Sequence, residues 1–262
     1  MPDASELPKK LTTTPAAGDQ QKEAPASPET TAPPNKLNVF VRDYLRPFVF
    51  VALILCTVRS TIADWNDVPT GSMNPSILEG DRIFVNKLAY DLKVPFTTWH
   101  VAEWSQPKRG DVVVFFSPAD DTRLVKRVVG LPGDTVELRD NHLLINGEEA
   151  NYGPADARFP AAMVNHPGTS GGVFASETVG GMSHPIMRLP QIYNSLRNYG
   201  PNVIPPDHYF MMGDNRDNSG DSRVFGFVER SRIVGRASAV AISLDPDHSY
   251  LPRWHRFFTP LP

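Results

Sequence analysis

The chain has 262 residues and a net charge of −3, with 29 Asp and Glu against 26 Lys and Arg. That length holds one large domain or two small ones, and near-neutrality without a long basic run gives no support for a nucleic-acid-binding surface. The only cysteine, Cys56, excludes an intrachain disulfide and a cysteine-built metal site, and the seven histidines form no HExxH arrangement, so a zinc hydrolase is not expected and nothing in these counts calls for a metal or organic cofactor.

Residues 1–36 are rich in Pro, Ala and Thr with mixed charge and no periodicity, which predicts a disordered, solvated tail. Residues 37–65 form a candidate anchor region. Pro47–Val58 is uncharged but short of the roughly 20 residues needed to cross a bilayer core, so the predicted transmembrane helix is drawn over about 45–62, with Arg46 and Arg59 reaching toward the two interfaces and Tyr44 and Trp65 as aromatic flanks. The bland alternative is a buried helix of a soluble protein. Lys36, Arg42 and Arg46 precede the span and Asp64 and Asp67 follow it, which by the positive-inside bias puts the N-terminus in the cytoplasm and the rest outside.

Beyond Trp65 the chain reads as β structure. Arg82–Lys87, Asp111–Phe115, Leu124–Val129, Thr135–Arg139 and His142–Ile145 are short β-branched or alternating runs, separated by turn residues; Asp140-Asn141 joins two of them at hairpin spacing. Residues 147–205 are Gly- and Pro-rich with weak periodicity and are predicted to be an inserted, loop-rich cap with one short helix near Gln191–Arg197. A strand at His208–Met212 returns to the core, so residues 66–146 and 206–262 make up the expected catalytic domain. The aromatic tail, with Tyr250, Trp254, Phe257 and Phe258 beside Arg253 and Arg256, suits either a membrane surface or packing on the sheet.

Three segments carry chemistry. Ser72 lies in PTGSMNP (69–75), where Gly71 permits close backbone approach and the prolines stiffen the chain. Lys126 lies in LVKRVVGLPGD (124–134); strand alternation puts Leu124, Lys126 and Val128 on one face, so Lys126 should point into an apolar layer and Arg127 out of it, to solvent or an ion pair. Burial is what would make a lysine a base near neutral pH: lowering its pKa by about two units costs roughly 2.7 kcal/mol. A serine hydroxyl becomes a nucleophile when such a base takes its proton, and the Ser72 backbone N–H is a candidate donor to the resulting oxyanion. The third segment is GDNRDNSGDSRVFGFV (213–228), in which Asp214–Asn218 are expected to satisfy turn backbone groups.

Together with GDRIFVNK (80–87) and RGDVVVF (109–115), these segments resemble, in order from about Val68 to Ala237, the bacterial type I signal peptidases, membrane-anchored Ser/Lys endopeptidases. The resemblance implies a mostly β fold: an antiparallel β-sheet catalytic core with an inserted β cap, preceded by one N-terminal transmembrane helix. It implies Ser72 as nucleophile, Lys126 as general base, Thr70 as the second oxyanion donor at a position usually occupied by serine, Ser219 as the group orienting the lysine amine, and Asp221 with Arg223 as a loop-holding ion pair. Val68, Met73, Ile83, Val114 and Val125 match positions lining shallow pockets for the small residues before the cut. The implied partners are secretory preproteins, through their signal peptides, and membrane lipid; the implied location is the inner membrane, single-pass.

Other readings have less behind them. Ser105-Gln-Pro-Lys108 matches an SxxK pattern, but Pro107 opposes the helix that motif needs and no KTG partner occurs. Self-cleaving repressor relatives share core motifs but are soluble and carry DNA-binding regions. A non-catalytic, membrane-anchored protein that binds signal peptides on the same fold is the remaining alternative, and cleavage separates it from a peptidase.

Overall fold

The computed structural model describes residues 40–94, 97, 99–163, 169–193 and 195–262; the expected 1–36 tail lies outside them. The chain divides into units Met1–Pro47 and Phe48–Pro262. The described part of the first holds one turn of π-helix, Val41–Leu45, and the start of an α-helix, Arg46–Thr61. That helix has 16 residues, about 24 Å of rise. Thr61 is its only buried residue, while Phe48, Val49, Phe50, Val51, Leu53, Ile54, Leu55 and Val58 are all exposed, so it is not the core helix of a soluble domain. Among the described residues no helix is long and apolar enough to cross a membrane.

The second unit is mostly antiparallel β. Its main sheet is built from β1 (Ala63–Asp67), β2 (Asp81–Asn86), β5 (Val112–Phe116), β6 (Arg123–Gly130), β14 (His208–Met212), β15 (Val228–Glu229) and β16 (Ile233–Asp245), in the order β1-β2-β16-β5-β6-β14-β15. β17 (Leu251–Pro252) and β18 (Thr259–Pro260) also pair with β16, and β3 (Asp91–Lys93) with β4 (His100–Glu103) forms a separate hairpin. β16, with 13 residues the longest strand, has no counterpart among the strands expected from sequence. Its register shifts against β2 and β5, and these bulges blur the period-2 pattern by which strands are recognised.

A four-stranded sheet, β13-β7-β8-β9, joins β7 (Thr135–Arg139), β8 (His142–Ile145) and β9 (Glu148–Glu149) to β13 (Tyr199–Val203), so strand pairing runs across the boundary that composition suggests at 146/147. Asp140 and Asn141 make the β7–β8 turn with φ of 47° and 63°, the positive values a two-residue hairpin needs and that Asp and Asn tolerate. The insert is more regular than its composition indicates: β10 (Asn151–Pro154), β11 (Val173–Val179) and β12 (Met182–Arg188) form an antiparallel sheet. Near the expected helix at Gln191–Arg197 the described residues form only a 3-10 turn, Ser195–Arg197.

β6 lies between β5 and β14 with both faces covered. Val113, Phe115 and Val128 are buried on one side, Val112 and Val114 on the other. The two faces of this strand position the site.

Candidate active site

Ser72 is the middle residue of a single 3-10 turn, Gly71–Met73, which follows extended Thr70 (φ −135°, ψ 152°). The turn is closed by the Asn74 N–H on the Gly71 carbonyl at 3.0 Å. Among the described residues the Ser72 N–H has no acceptor, as expected in the first turn of a helix, and the exposed Thr70 makes no side-chain hydrogen bond. Lys126 comes from β6, opposite Val113 of β5. Its Nζ lies 2.7 Å from Ser72 Oγ and 3.0 Å from the Val125 carbonyl, and the residue is 3% exposed. Burial pushes the amine down to about 8, against the opposing pull of the Asp221 and Asp214 charges and with help from Arg223. A hydroxyl and a lysine that is part-neutral at pH 7 thus share one hydrogen bond.

The segment 213–223 closes around this pair. Asn215 donates its backbone N–H to the Ser72 carbonyl and its Nδ2 to the Gly71 carbonyl, both at 3.1 Å. Asp221 accepts from the Gly213 N–H at 3.0 Å and takes Arg223 Nε and Nη2, each at 2.8 Å, so the expected ion pair is present and bidentate. Burial raises the Asp221 carboxyl, but hydrogen bonds and charge from Arg223 hold it below the usual carboxylate range. Ser219 Oγ is buried beside Asp221 and, among the described residues, makes no hydrogen bond to Lys126. A Cβ on Gly213 would stand 2.3 Å from Ser219 Oγ and 2.4 Å from the Ser72 carbonyl oxygen; only glycine fits between them.

Arg127 is not at a solvent face. It is 1% exposed and ion-paired, with Nε 2.9 Å from Asp214 Oδ1 and Nη2 2.8 Å from Oδ2. The alternation correctly turns it away from Lys126, but β6 is an interior strand and the second face is covered as well. Asp214 therefore does more than finish a turn, since it also accepts from Ser76 Oγ at 2.5 Å. Val68, Met73, Ile83, Val114 and half-buried Val125 gather in one apolar cluster with Ile77, Val85, Val112 and Ala237. In the tail, Arg256 is buried against Asp81, whereas Tyr250, Trp254 and Phe258 are exposed.

Gly213 and Asn215 were not expected as site residues, since they lie in a loop whose composition signals only a turn. One grouping among the described residues has the donor types of a metal site, Asp91, His100 and Glu103. Asp91 is already taken by Lys93 at 2.8 Å and Arg230 at 2.7 Å, so a dication there would meet two cations.

A family model described as signal peptidase, peptidase S26, matches residues 41–242. Signal peptidase I of Pseudomonas fluorescens is 38% identical over 228 residues, covering 82% of this chain and 77% of the relative. That of Pseudomonas aeruginosa is 37% identical over 227 residues with the same coverage. That of Rickettsia typhi is 32% identical over 224 residues, 79% of this chain and 83% of the relative. A solved signal peptidase I from Enterococcus faecalis is 29% identical, covers 51% of this chain and 98% of its own, and has a TM-score of 0.32. With the family model spanning most of the described chain and relatives above 30% identity along most of its length, the chain belongs to the signal peptidase family, peptidase S26, and is a hydrolase of the signal peptidase I type.

Proposed function

We propose that the chain is a membrane-bound serine endopeptidase that cuts N-terminal signal peptides from exported preproteins, with Ser72 as nucleophile and Lys126 as base. The observation that carries this reading is the 2.7 Å contact between Lys126 Nζ and Ser72 Oγ in a site that keeps the amine near pKa 8. Neutral Lys126 takes the Ser72 proton as Oγ attacks the scissile carbonyl carbon. The oxyanion is met by the Ser72 N–H and the Thr70 hydroxyl, neither of which has a partner among the described residues. Lys126 then protonates the leaving amine, which departs with the mature protein. A water deprotonated by Lys126 attacks the ester carbonyl, and collapse releases the signal peptide carboxylate and restores Ser72. Ser219, buried beside Asp221, is suited to orient the amine, and Asp221 with Arg223 to hold the loop.

The substrate would lie extended along strand edges and present its first and third residues before the cut to Val68, Met73, Ile83, Val114 and Val125. Ile83, Val114 and Met73 are at most 1% exposed, so they would back such pockets rather than line them. The exposed apolar side chains of the helix Arg46–Thr61 support its use as the anchor, with the N-terminus cytoplasmic and the catalytic domain outside. The test is incubation of the detergent-solubilised chain with a secretory preprotein, reading the cut by mass spectrometry, with Ser72→Ala and Lys126→Ala in parallel. Cleavage after a small-x-small tripeptide, lost in both variants, supports the mechanism. Binding without cleavage by the unmodified chain replaces it with the non-catalytic reading.

A further inference from the structure

A fully buried ion pair links the insert to the site, beside the Arg197–Asp217 contact at 2.9 Å. Glu177, within β11, accepts from Arg216 Nη1 at 2.7 Å on Oε2 and from Nη2 at 2.5 Å on Oε1, and each side chain is at most 1% exposed. The Tyr152 hydroxyl donates to Glu177 Oε2 at 2.7 Å while accepting from the Leu143 N–H at 2.8 Å, and the buried His184 ring lies 3.4 Å from Oε1. Burial pushes the Glu177 carboxyl up, but the Arg216 charge and His184 reverse this and hold it well below the usual range. Glu177 is therefore a carboxylate held on three sides, and Arg216 is its guanidinium partner.

Backbone contacts continue the connection. The Met187 N–H donates to the Asp214 carbonyl at 2.9 Å and the Arg216 N–H to the Met187 carbonyl at 2.8 Å, so β12 meets the 213–223 segment in a parallel bridge at Asn215. Arg216 in turn gives its carbonyl to Arg223 Nη1 at 2.7 Å. Asn215, the residue before Arg216, is the one that grips the Gly71 and Ser72 carbonyls.

We propose that Glu177 is a positioning residue for the peptidase reaction, holding the 213–223 segment against the Ser72 backbone through Arg216, so that the insert is a working part of the active site. The proposal rests on the Ser72–Lys126 reading given above. Without the Glu177 charge, the buried Arg216 guanidinium loses its ion-pair partner and keeps only the weaker pull of Asp214, so the segment must shift to let water reach it. The same segment supplies Asp214, Asp221 and Arg223, the charged groups acting on the Lys126 amine, and Ser219 beside them; Ser72 and the Val125 carbonyl are its hydrogen-bond partners. A looser segment admits water to the amine and relieves the burial that depresses it. Lys126 then moves up toward an ordinary lysine.

The experiment is Glu177→Gln in the full chain in detergent, with two readouts. Amide hydrogen exchange over 213–223 is expected to accelerate relative to the unmodified chain. The kcat/KM for preprotein cleavage is expected to fall about a hundredfold, the scale for displacing catalytic groups by an ångström, with the acid limb of its pH profile displaced upward. Glu177→Asp should recover part of both. A merely structural role would lower activity in proportion to the folded fraction and leave the limb where it was. A folded Glu177→Gln chain with unchanged exchange, kcat/KM and limb overturns the proposal. If Gln does not fold, the paired replacement Glu177→Leu with Arg216→Met removes both buried charges at similar volume. Unchanged exchange and limb in that variant overturn the proposal equally. Should the unmodified chain cleave no preprotein, the peptidase reading fails by that result alone, and the exchange measurement still decides whether Glu177 holds the segment.

Discussion

Lys126→Met should abolish cleavage and make the folded protein more stable at neutral pH. Lys126 has its pKa lowered from 10.5 to about 8 by burial, so the folded state binds its proton more weakly than the unfolded chain does. A base depressed in this way costs stability below pH 8, and the cost fades as pH rises from 8 through 10.5. With those two values the cost is about 3 kcal/mol at pH 7 and about 1 kcal/mol at pH 9.5. Methionine fills similar space without a charge but loses the hydrogen bonds to Ser72 Oγ and the Val125 carbonyl, worth about 1 kcal/mol each. That loss does not depend on pH. The stability of Lys126→Met relative to the unmodified chain should therefore decline by about 2 kcal/mol between pH 7 and pH 9.5. Urea denaturation of both chains in the same detergent at the two pH values measures it. A difference that stays constant with pH would refute the claim that Lys126 is a buried, depressed amine.

The kcat/KM of the unmodified chain should rise about ninetyfold from pH 6 to pH 9, because the neutral fraction of a base with pKa about 8 grows from roughly 1% to roughly 91%; a rate that falls steadily over that range would exclude Lys126 as base. Thr70→Val keeps the shape but removes the hydroxyl, and should lower kcat by about 10²–10³ with little change in KM, while Thr70→Ser restores it; equal kcat in all three chains would remove Thr70 from the oxyanion site. Gly213→Ala places a methyl within 2.4 Å of the Ser72 carbonyl oxygen, so cleavage should drop at least about a hundredfold even where circular dichroism shows a folded chain; full activity would mean that Ser72 and Ser219 tolerate being spread apart.

Much of the main sheet is legible in the chain because its strands alternate cleanly and end in recognisable turns: β2, β5, β6, β7, β8 and β14 all fall within a residue or so of their expected limits. The face of Lys126 follows from the same alternation. What alternation cannot tell is whether the opposite face meets water, and Arg127 is the case in point: its charge suggests an outer face, yet Asp214, distant in sequence, makes burial tolerable. β16 is hidden by its bulges, and the insert strands by glycines and prolines that read as loop. Glu177 carries no signal at all. A lone glutamate in such a segment ordinarily faces solvent, and only the fold brings Arg216 to it.

The depressed lysine also bears on when the molecule becomes active. Ser72 and Lys126 lie 54 residues apart, and nothing local brings them together. In an extended chain Lys126 has an ordinary pKa of 10.5, leaving about 0.03% of it neutral at pH 7, against about 9% once it is buried. Folding thus multiplies the reactive form of the base roughly three-hundredfold in the same event that delivers the hydroxyl to it. On the proposed chemistry, a newly made chain holds almost none of its base in the reactive form until its sheet has closed.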